Sequence, residues 1–440
     1  MGIQPQINRF LRGLSYRRVN TERQIPAMVA SIQKLDPRTL KDMLDAHARY
    51  VSGRAGGQRA NLSYIDLSHA QLDGMDLTDA TMTGVRLNGA SLKATNLTRA
   101  NLYGADIREA DLRRAILERA DLRGACLRGA NLSGARLAGC DLREGMIAFK
   151  DSAQGYRLMK HEKRPGELDF AILSGADLRG AQMSGTMAVS TDFRDANLTH
   201  AVLSNAKMRK AALDGADLSG AELSNTDLTG ASLKRAVLCG ANVRSAQTQN
   251  ADLSDTLQSP PESVYIDERP LDEVIDAHER WCRTGGQDGE TAQASGLDFR
   301  PVRKLKGRVL TALNAANSIF YGMDLSGAHL QGANLSGADL RSANLRGADL
   351  RGARLTGTLL NKADLRDTKF DPLPITSDRM MRADLTRAIL RHADLRGASL
   401  IRARLIETDL TDCLTHDCLF EDAEIVDVLG YISEPMLTAA

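Results

Sequence analysis

The sequence predicts an all-β solenoid, on three observations. A five-residue period recurs along most of the 440 residues. Two positions of every five are apolar or small, and they lie two apart. Aromatic residues make up only 4% of the chain, in keeping with an interior of Ala and Leu.

The period is plainest where Ala120-Asp121-Leu122-Arg123-Gly124 is followed by Ala125-Cys126-Leu127-Arg128-Gly129 and Ala130-Asn131-Leu132-Ser133-Gly134. The large apolar centre of each unit falls at Leu62, Leu67, Leu72 and Leu77, then every five residues to Ile147. Two residues before each centre stands a small or apolar residue, from Ala60, Ile65, Ala70 and Met75 to Gly145. A spacing of two puts side chains on one face of an extended strand. In a helix, at about 100° per residue, a period of five smears the apolar positions around the cylinder. Short extended segments with a turn every five residues fit the pattern. Four of them close a square coil of about 20 residues, and coils stack at about 4.8 Å. Gly, Ser or Asn near each corner suits the turn. Coils bury their faces only against neighbours, so stability grows with the stack.

These residues resemble the pentapeptide-repeat family, whose pattern is written A(D/N)LXX. The resemblance covers residues 60–149, 166–255 and 318–427. It implies a right-handed quadrilateral β-helix, here in two units, each preceded by a short α-helix.

Residues 1–35 lack the repeat. Ile7, Phe10, Leu11 and Leu14 form a helical apolar stripe among Arg9, Arg12, Arg17 and Arg18. Such a stripe packs on the solenoid flank, docks a partner or lies on an anionic membrane. A helix then opens at Asp36-Pro37 and closes at Gly53, Gly56 and Gly57. Its sequence 40–50 recurs at 271–281, so the helix is duplicated at 268–285. Repeats 60–149 and 166–255 flank an interruption, 150–165, read as a loop thrown out of a continuing stack. Together with the first helix they make unit 1, 36–255. Residues 256–317 read as a linker carrying the second helix. Unit 2 spans 318–427, in phase through Pro372 and Pro374, and 428–440 is a tail without repeats.

The formal charge is +1, so no global imbalance points to nucleic acid. Charge is nevertheless blocked: 340–405 holds 12 Arg and 2 Lys against 7 acids, whereas 406–427 holds 8 acids and no Lys or Arg. A basic start and an acidic end suit head-to-tail self-association; ordinary solvated surface charge is the simpler reading. No apolar run is long enough for a transmembrane helix, no leader is evident and the six cysteines are scattered. A reduced, cytoplasmic protein is expected.

His47 shares a helical face with Leu40, Met43, Leu44 and Val51, and His278 with Leu271, Val274, Ile275 and Cys282. With no second catalytic group beside them, both read as packed residues with one satisfied nitrogen. Tyr50 and Trp281, three residues on, help each helix cover an open solenoid end. Cys413-x-x-His416-x-Cys418 has metal-like spacing, but the repeat turns both Cys inward and His416 outward, and four ligands do not converge. Asp324, Asn344, Asp364, Asp384 and Glu424 are spaced by multiples of 20 and should stack on one face, with Arg346 and Arg366 neutralising them. No catalytic, cofactor or metal site is expected. Recognition is expected in the interruptions 150–165 and 256–317, where Lys160, Lys163, Arg164, Arg300, Arg303, Lys304, Lys306 and Arg308 form the candidate surface.

A non-enzymatic protein-interaction scaffold therefore leads, its partner a protein of unknown identity. One alternative comes from the resemblance: a DNA mimic acting on a type II topoisomerase, against which the basic 340–405 block counts. Another is binding to nucleic acid or membrane through the basic segments 1–20, 300–308 and 340–405, with interleaved acids and few aromatics counting against single-stranded nucleic acid.

Overall fold

The computed structural model describes residues 33–151, 155–302, 304–376 and 378–430, with the backbone alone for 146–151 and 155–162. The basic segment before Gln33, Arg303 and the tail beyond Gly430 lie outside the described residues.

Each five-residue unit makes one parallel bridge to the fourth unit after it, as in Asn61↔Thr81 and Asp66↔Arg86. Four sides thus make one coil. At each bridge the chain exchanges paired bonds: Leu62 N–H donates to the Thr81 carbonyl at 2.7 Å, and Thr81 N–H to the Ala60 carbonyl at 3.0 Å. A turn closes each corner, as where Ala80 N–H donates to the Leu77 carbonyl at 3.0 Å. The third residue of that turn, Asp79, has φ 62°. Gly occupies the equivalent place in many units because it takes positive φ without strain.

The two inward positions fill the core with Ala and Leu at or near zero exposure. Where Thr replaces the inward Ala, its hydroxyl mostly donates to a centre carbonyl one coil below, as Thr95 to Leu72 at 2.7 Å and Thr358 to Leu335 at 2.8 Å, while Thr186 donates to Met183 of its own coil at 2.8 Å. Bonded this way, a buried hydroxyl avoids the cost of an unmet one.

Helix α1, Pro37–Val51, is N-capped by Asp36, whose carboxylate accepts from Arg38 N–H at 2.9 Å and Thr39 N–H at 3.1 Å. Its Leu40, Met43 and Leu44 pack on the first core. At the first interruption the ladder takes a longer stride, and Cys126 bridges to Glu167 and Asn131 to Ile172. The surplus chain leaves the stack as an antiparallel hairpin, β1 (Gly145–Asp151) with β2 (Gly155–Arg164), and the ladder closes beneath it. The departure comes one unit earlier than the sequence suggested. Leu142 is the last buried centre before it, and the backbone of Ile147 already runs in β1.

After the last first-stack bridge, Val237↔Leu257, come a short hairpin, β3 (Tyr265–Ile266) with β4 (Arg269–Pro270), and helix α2, Leu271–Arg283. The second stack then starts well before residue 318. Gln293 already bridges to Asn314 and Asp298 to Ile319, a stride one residue too long, before Val309↔His329 restores the regular spacing. The surplus residue between Asp298 and Val309 breaks the phase without breaking the coil, and Phe299, Val302 and Leu305 are buried there. Further on, a short excursion carries β5 (Leu373–Pro374) against β6 (Met380–Met381). It keeps the five-residue phase but skips two sides, so Asp364 bridges to Asp394 and Asp384 stacks on Arg354. The predicted single ladder through Asp364, Asp384 and Glu424 is corrected: Asp384 and Glu424 belong to another wall. The last coil is marked by β7 (Arg404–Ile406) parallel to β8 (Glu424–Val426).

Two separate hydrophobic clusters result, spanning 60–236 and 271–410. The stacks lie side by side and run antiparallel. Arg300 reaches the Gln258 carbonyl, Tyr321 reaches Asp217, Asn361 reaches Asp195, and Arg114 approaches Asp412. Among the described residues no helix is long and apolar enough to cross a membrane.

Gly166 closes the ladder where the hairpin rejoins, and a Cβ there would collide with the Leu142 carbonyl oxygen. Gly180, with φ 64° and open space around it, carries only the cost of positive φ. In urea unfolding, Gly180→Ala should cost about 1 kcal/mol and Gly166→Ala about 1–3 kcal/mol.

Candidate interaction surface

The two helices cap their stacks by the same device. His47 Nδ1 accepts the Ala60 N–H at 3.0 Å, and His278 Nδ1 accepts the Ala292 N–H at 3.0 Å. Both imidazoles are fully buried. His47 stacks on Tyr50 with centroids 5.8 Å apart, and His278 on Trp281 at 6.0 Å. Each ring therefore satisfies a backbone donor that opens a coil. Burial lowers both imidazole pKa values below the ordinary 6.5.

The walls carry a second repeated device. Asp just before a centre is gripped by the Arg two residues on, through paired bonds. Examples are Asp106–Arg108 and Asp364–Arg366, each with a 2.6 Å contact. Arg346 departs from this and pairs with Asp367 at 3.2 Å. The basic 340–405 block and the acidic 406–427 block, separate in sequence, become adjacent coils. Arg391 meets Asp409 at 2.6 Å, Arg402 meets Asp422 at 3.2 Å, and Arg382 and Arg404 meet Glu424 at 3.1 and 3.2 Å.

The predicted basic surface divides accordingly. Lys163 pairs with Glu144 at 2.7 Å and Arg164 with Glu167 at 3.3 Å. Arg300 grips Asp298 and also donates to the Gln258 carbonyl at 2.9 Å, which fastens one stack to the other. Arg308 holds Asp276 and Glu279, which fastens α2 to the second stack. Lys304 and Lys306 are exposed. The Lys160 side chain and Arg303 lie outside the described residues. So among the described residues of 300–308, Arg300 and Arg308 are spent holding the fold, while Lys304 and Lys306 stay open. In the 413–418 segment, Cys413 Sγ donates inward to the Leu390 carbonyl at 2.9 Å, Cys418 packs against the core, and His416 faces solvent. Burial pushes both thiols up to about 12.

Sequence reading missed the face between the stacks. Asp177, Asp195 and Asp217 on the first stack meet Tyr321, Arg341, Asn361, Lys362 and Arg391 on the second. Tyr321 Oη donates to Asp217 at 2.6 Å, and Asn361 Nδ2 to Asp195 at 2.8 Å. Arg341, only 4% exposed, grips Asp339 at 2.7 Å and donates to the Arg235 carbonyl. Lys362 lies in the field of Asp195, Asp217 and Asp177, yet desolvation brings its ammonium pKa down to about 8. The sequence signal was the row Tyr321, Arg341, Asn361, one residue per coil, in which an aromatic breaks an otherwise small and polar wall. Beside this face is a cleft of about 460 Å³, lined in part by Arg194, Lys234, Asn361 and Arg391.

The profile of the pentapeptide repeats family matches residues 58–93, 95–134, 125–144, 167–199, 190–220, 216–255, 310–347, 318–357, 348–371 and 379–414, more than half of the chain. The chain belongs to the pentapeptide repeat family. The unmatched 145–166 and 256–309 are where the hairpin, α2 and the overlong coil lie. Solved structures similar to this pentapeptide repeat protein include full-length QnrB1, a plasmid-mediated fluoroquinolone resistance protein. It is 19% identical over 46% of this chain and 92% of that one, with a TM-score of 0.26. HetL, involved in heterocyst differentiation regulation in the cyanobacterium Nostoc sp. strain PCC 7120, is 22% identical over 86% and 92%, with a TM-score of 0.13. Rfr23 from the cyanobacterium Cyanothece 51142 is 24% identical over 30% and 90%, with a TM-score of 0.15. No curated protein matches.

Two outcomes test this geometry. With pKa lowered in the fold, the capping histidines stay neutral while the unfolded chain binds protons below about 6.5. Their stabilisation is therefore complete above that pH and is lost as pH falls below it. Thermal midpoints should drop between pH 6.5 and 5, and drop less in His47→Leu or His278→Leu. Each of these variants should also lose about 1–3 kcal/mol at pH 7.5 through an unmet buried N–H. Separately, Arg341→Glu should open the stacks, read as a larger radius of gyration in solution scattering. The cost should be about 3–5 kcal/mol for breaking a buried pair.

Proposed function

We propose that this chain is a non-enzymatic protein-interaction scaffold whose stacks hold the β1–β2 hairpin out for a protein partner. The supporting observation is the lengthened register Cys126↔Glu167, repeated through Asp141↔Gln182. The stack closes beneath the hairpin, so the hairpin serves no purpose in the ladder itself. Irregular segments on a rigid solenoid are where such folds carry recognition. The other expected interruption is largely occupied with structure: α2 caps the second stack, and 293–317 is coil. Two further readings lose support. A mimic of DNA needs uncompensated rows of acids, and here many wall aspartates are held by arginine two residues on. Binding to an anionic surface through 300–308 is weakened because Arg300 and Arg308 are engaged, which leaves Lys304 and Lys306 as the exposed cations described there.

Gly145 and Arg164 are cross-strand neighbours, so an Asn-Gly turn can replace 146–163. That variant should keep its β-rich circular dichroism and thermal midpoint and lose partner capture from lysate. Capture that survives, with the fold intact, would move recognition to the walls.

A further inference from the structure

The second stack ends on a coil unlike those beneath it. The residue before each centre faces outward and carries the bridge to the next coil, and along the chain it is most often polar or charged. In the last coil it is Leu414, Leu419, Glu424 and Leu429. Three of four walls thus present leucine, at 44%, 46% and 59% exposure. Below, these residues bridge to Asp394, Ser399, Arg404 and Asp409; above them no further described coil follows. The leucines stand among acids. Glu407, Asp417, Glu421 and Asp427 have no Lys or Arg ion pair among the described residues. An apolar rim whose negative charge and strand edge are unpaired among the described residues fits a basic, apolar segment.

We propose that the chain's own residues 1–20 dock on this coil. They hold Ile7, Phe10, Leu11 and Leu14 together with Arg9, Arg12, Arg17 and Arg18, and no acid. That complements the rim in both polarity and charge. The antiparallel stacks bring the two within reach. Asp412 of the last coil approaches Arg114 at 4.0 Å. Arg114 lies fewer than three coils from Ala60, about 13 Å of rise at ~4.8 Å per coil. Gln33 is itself bridged to Ile65 on the first coil. Residues 21–32 can span up to about 40 Å when extended. A tether of that length holds the segment at an effective concentration of about millimolar, which favours docking within one molecule. The rim is then reserved, and a partner reaching it must displace a basic segment.

The test is site-directed photocrosslinking in the full chain. Phe10→p-benzoylphenylalanine is irradiated at low micromolar concentration, and crosslinks in the monomer are mapped by mass spectrometry. The proposal expects crosslinks within 412–430. They should fall at least tenfold when Leu414, Leu419 and Leu429 are all changed to Ser, and again when Arg9, Arg12, Arg17 and Arg18 are all changed to Gln. The second variant leaves the stack untouched, so misfolding of the first does not decide the matter. Covalent dimers in place of crosslinked monomers, crosslinks confined to other surfaces, no crosslinks, or yields unaffected by the arginine changes would overturn it.

Discussion

The parallel bridge between one coil and the next is the interaction on which everything else depends. Each bridge satisfies backbone donors and acceptors only if the next coil is present, and each inward Leu is dry only if a neighbour lies above and below it. Neither the hydrogen bonding nor the burial can be completed within one coil. This is why the first coil of each stack needs an outside group. A helix supplies it, with an imidazole accepting the otherwise unmet Ala60 or Ala292 N–H.

The bridge also sets the rule for surface chemistry. Residues one full coil apart in sequence are neighbours at about 4.8 Å, so charge is balanced between coils rather than along the chain. The blocks 340–405 and 406–427 look like opposite poles when read linearly. Folded, Arg391, Arg402 and Arg404 sit beside Asp409, Asp422 and Glu424. Exposed pairs of this kind contribute little stability each. What they change is the net field, which is flatter than the sequence suggests.

Much of the stack was legible because the pattern is strict. Ala120, Leu122 and their equivalents are inward in unit after unit. What escaped sequence reading came from counts that the five-residue phase cannot see. One surplus residue among 299–308 disguised a true coil as linker. An excursion at 371–380 preserved the phase while moving Asp384 to another wall. The contact between the stacks was illegible for a different reason. Tyr321, Arg341 and Asn361 occupy outward positions on their own stack, and they are covered by contact with the other one, at Asp217, Arg235 and Asp195. The partners of two candidate basic residues were hidden in the same way, since Arg300 and Arg308 find them in distant segments, at Gln258 and Glu279.

The polarity of the ladder has a last consequence. A solenoid of identical coils is a template for its own extension, and copies could add first coil to last coil without limit. In this chain the first coil of each stack is covered by α1 or α2, while the last coils carry no helix among the described residues. Growth of that kind needs one bare face of each sense, and only one sense is offered. A single helix at the start of each stack therefore terminates a polymer that the repeat itself would permit. The last coils are left able to meet only something that is not a continuation of the same coil.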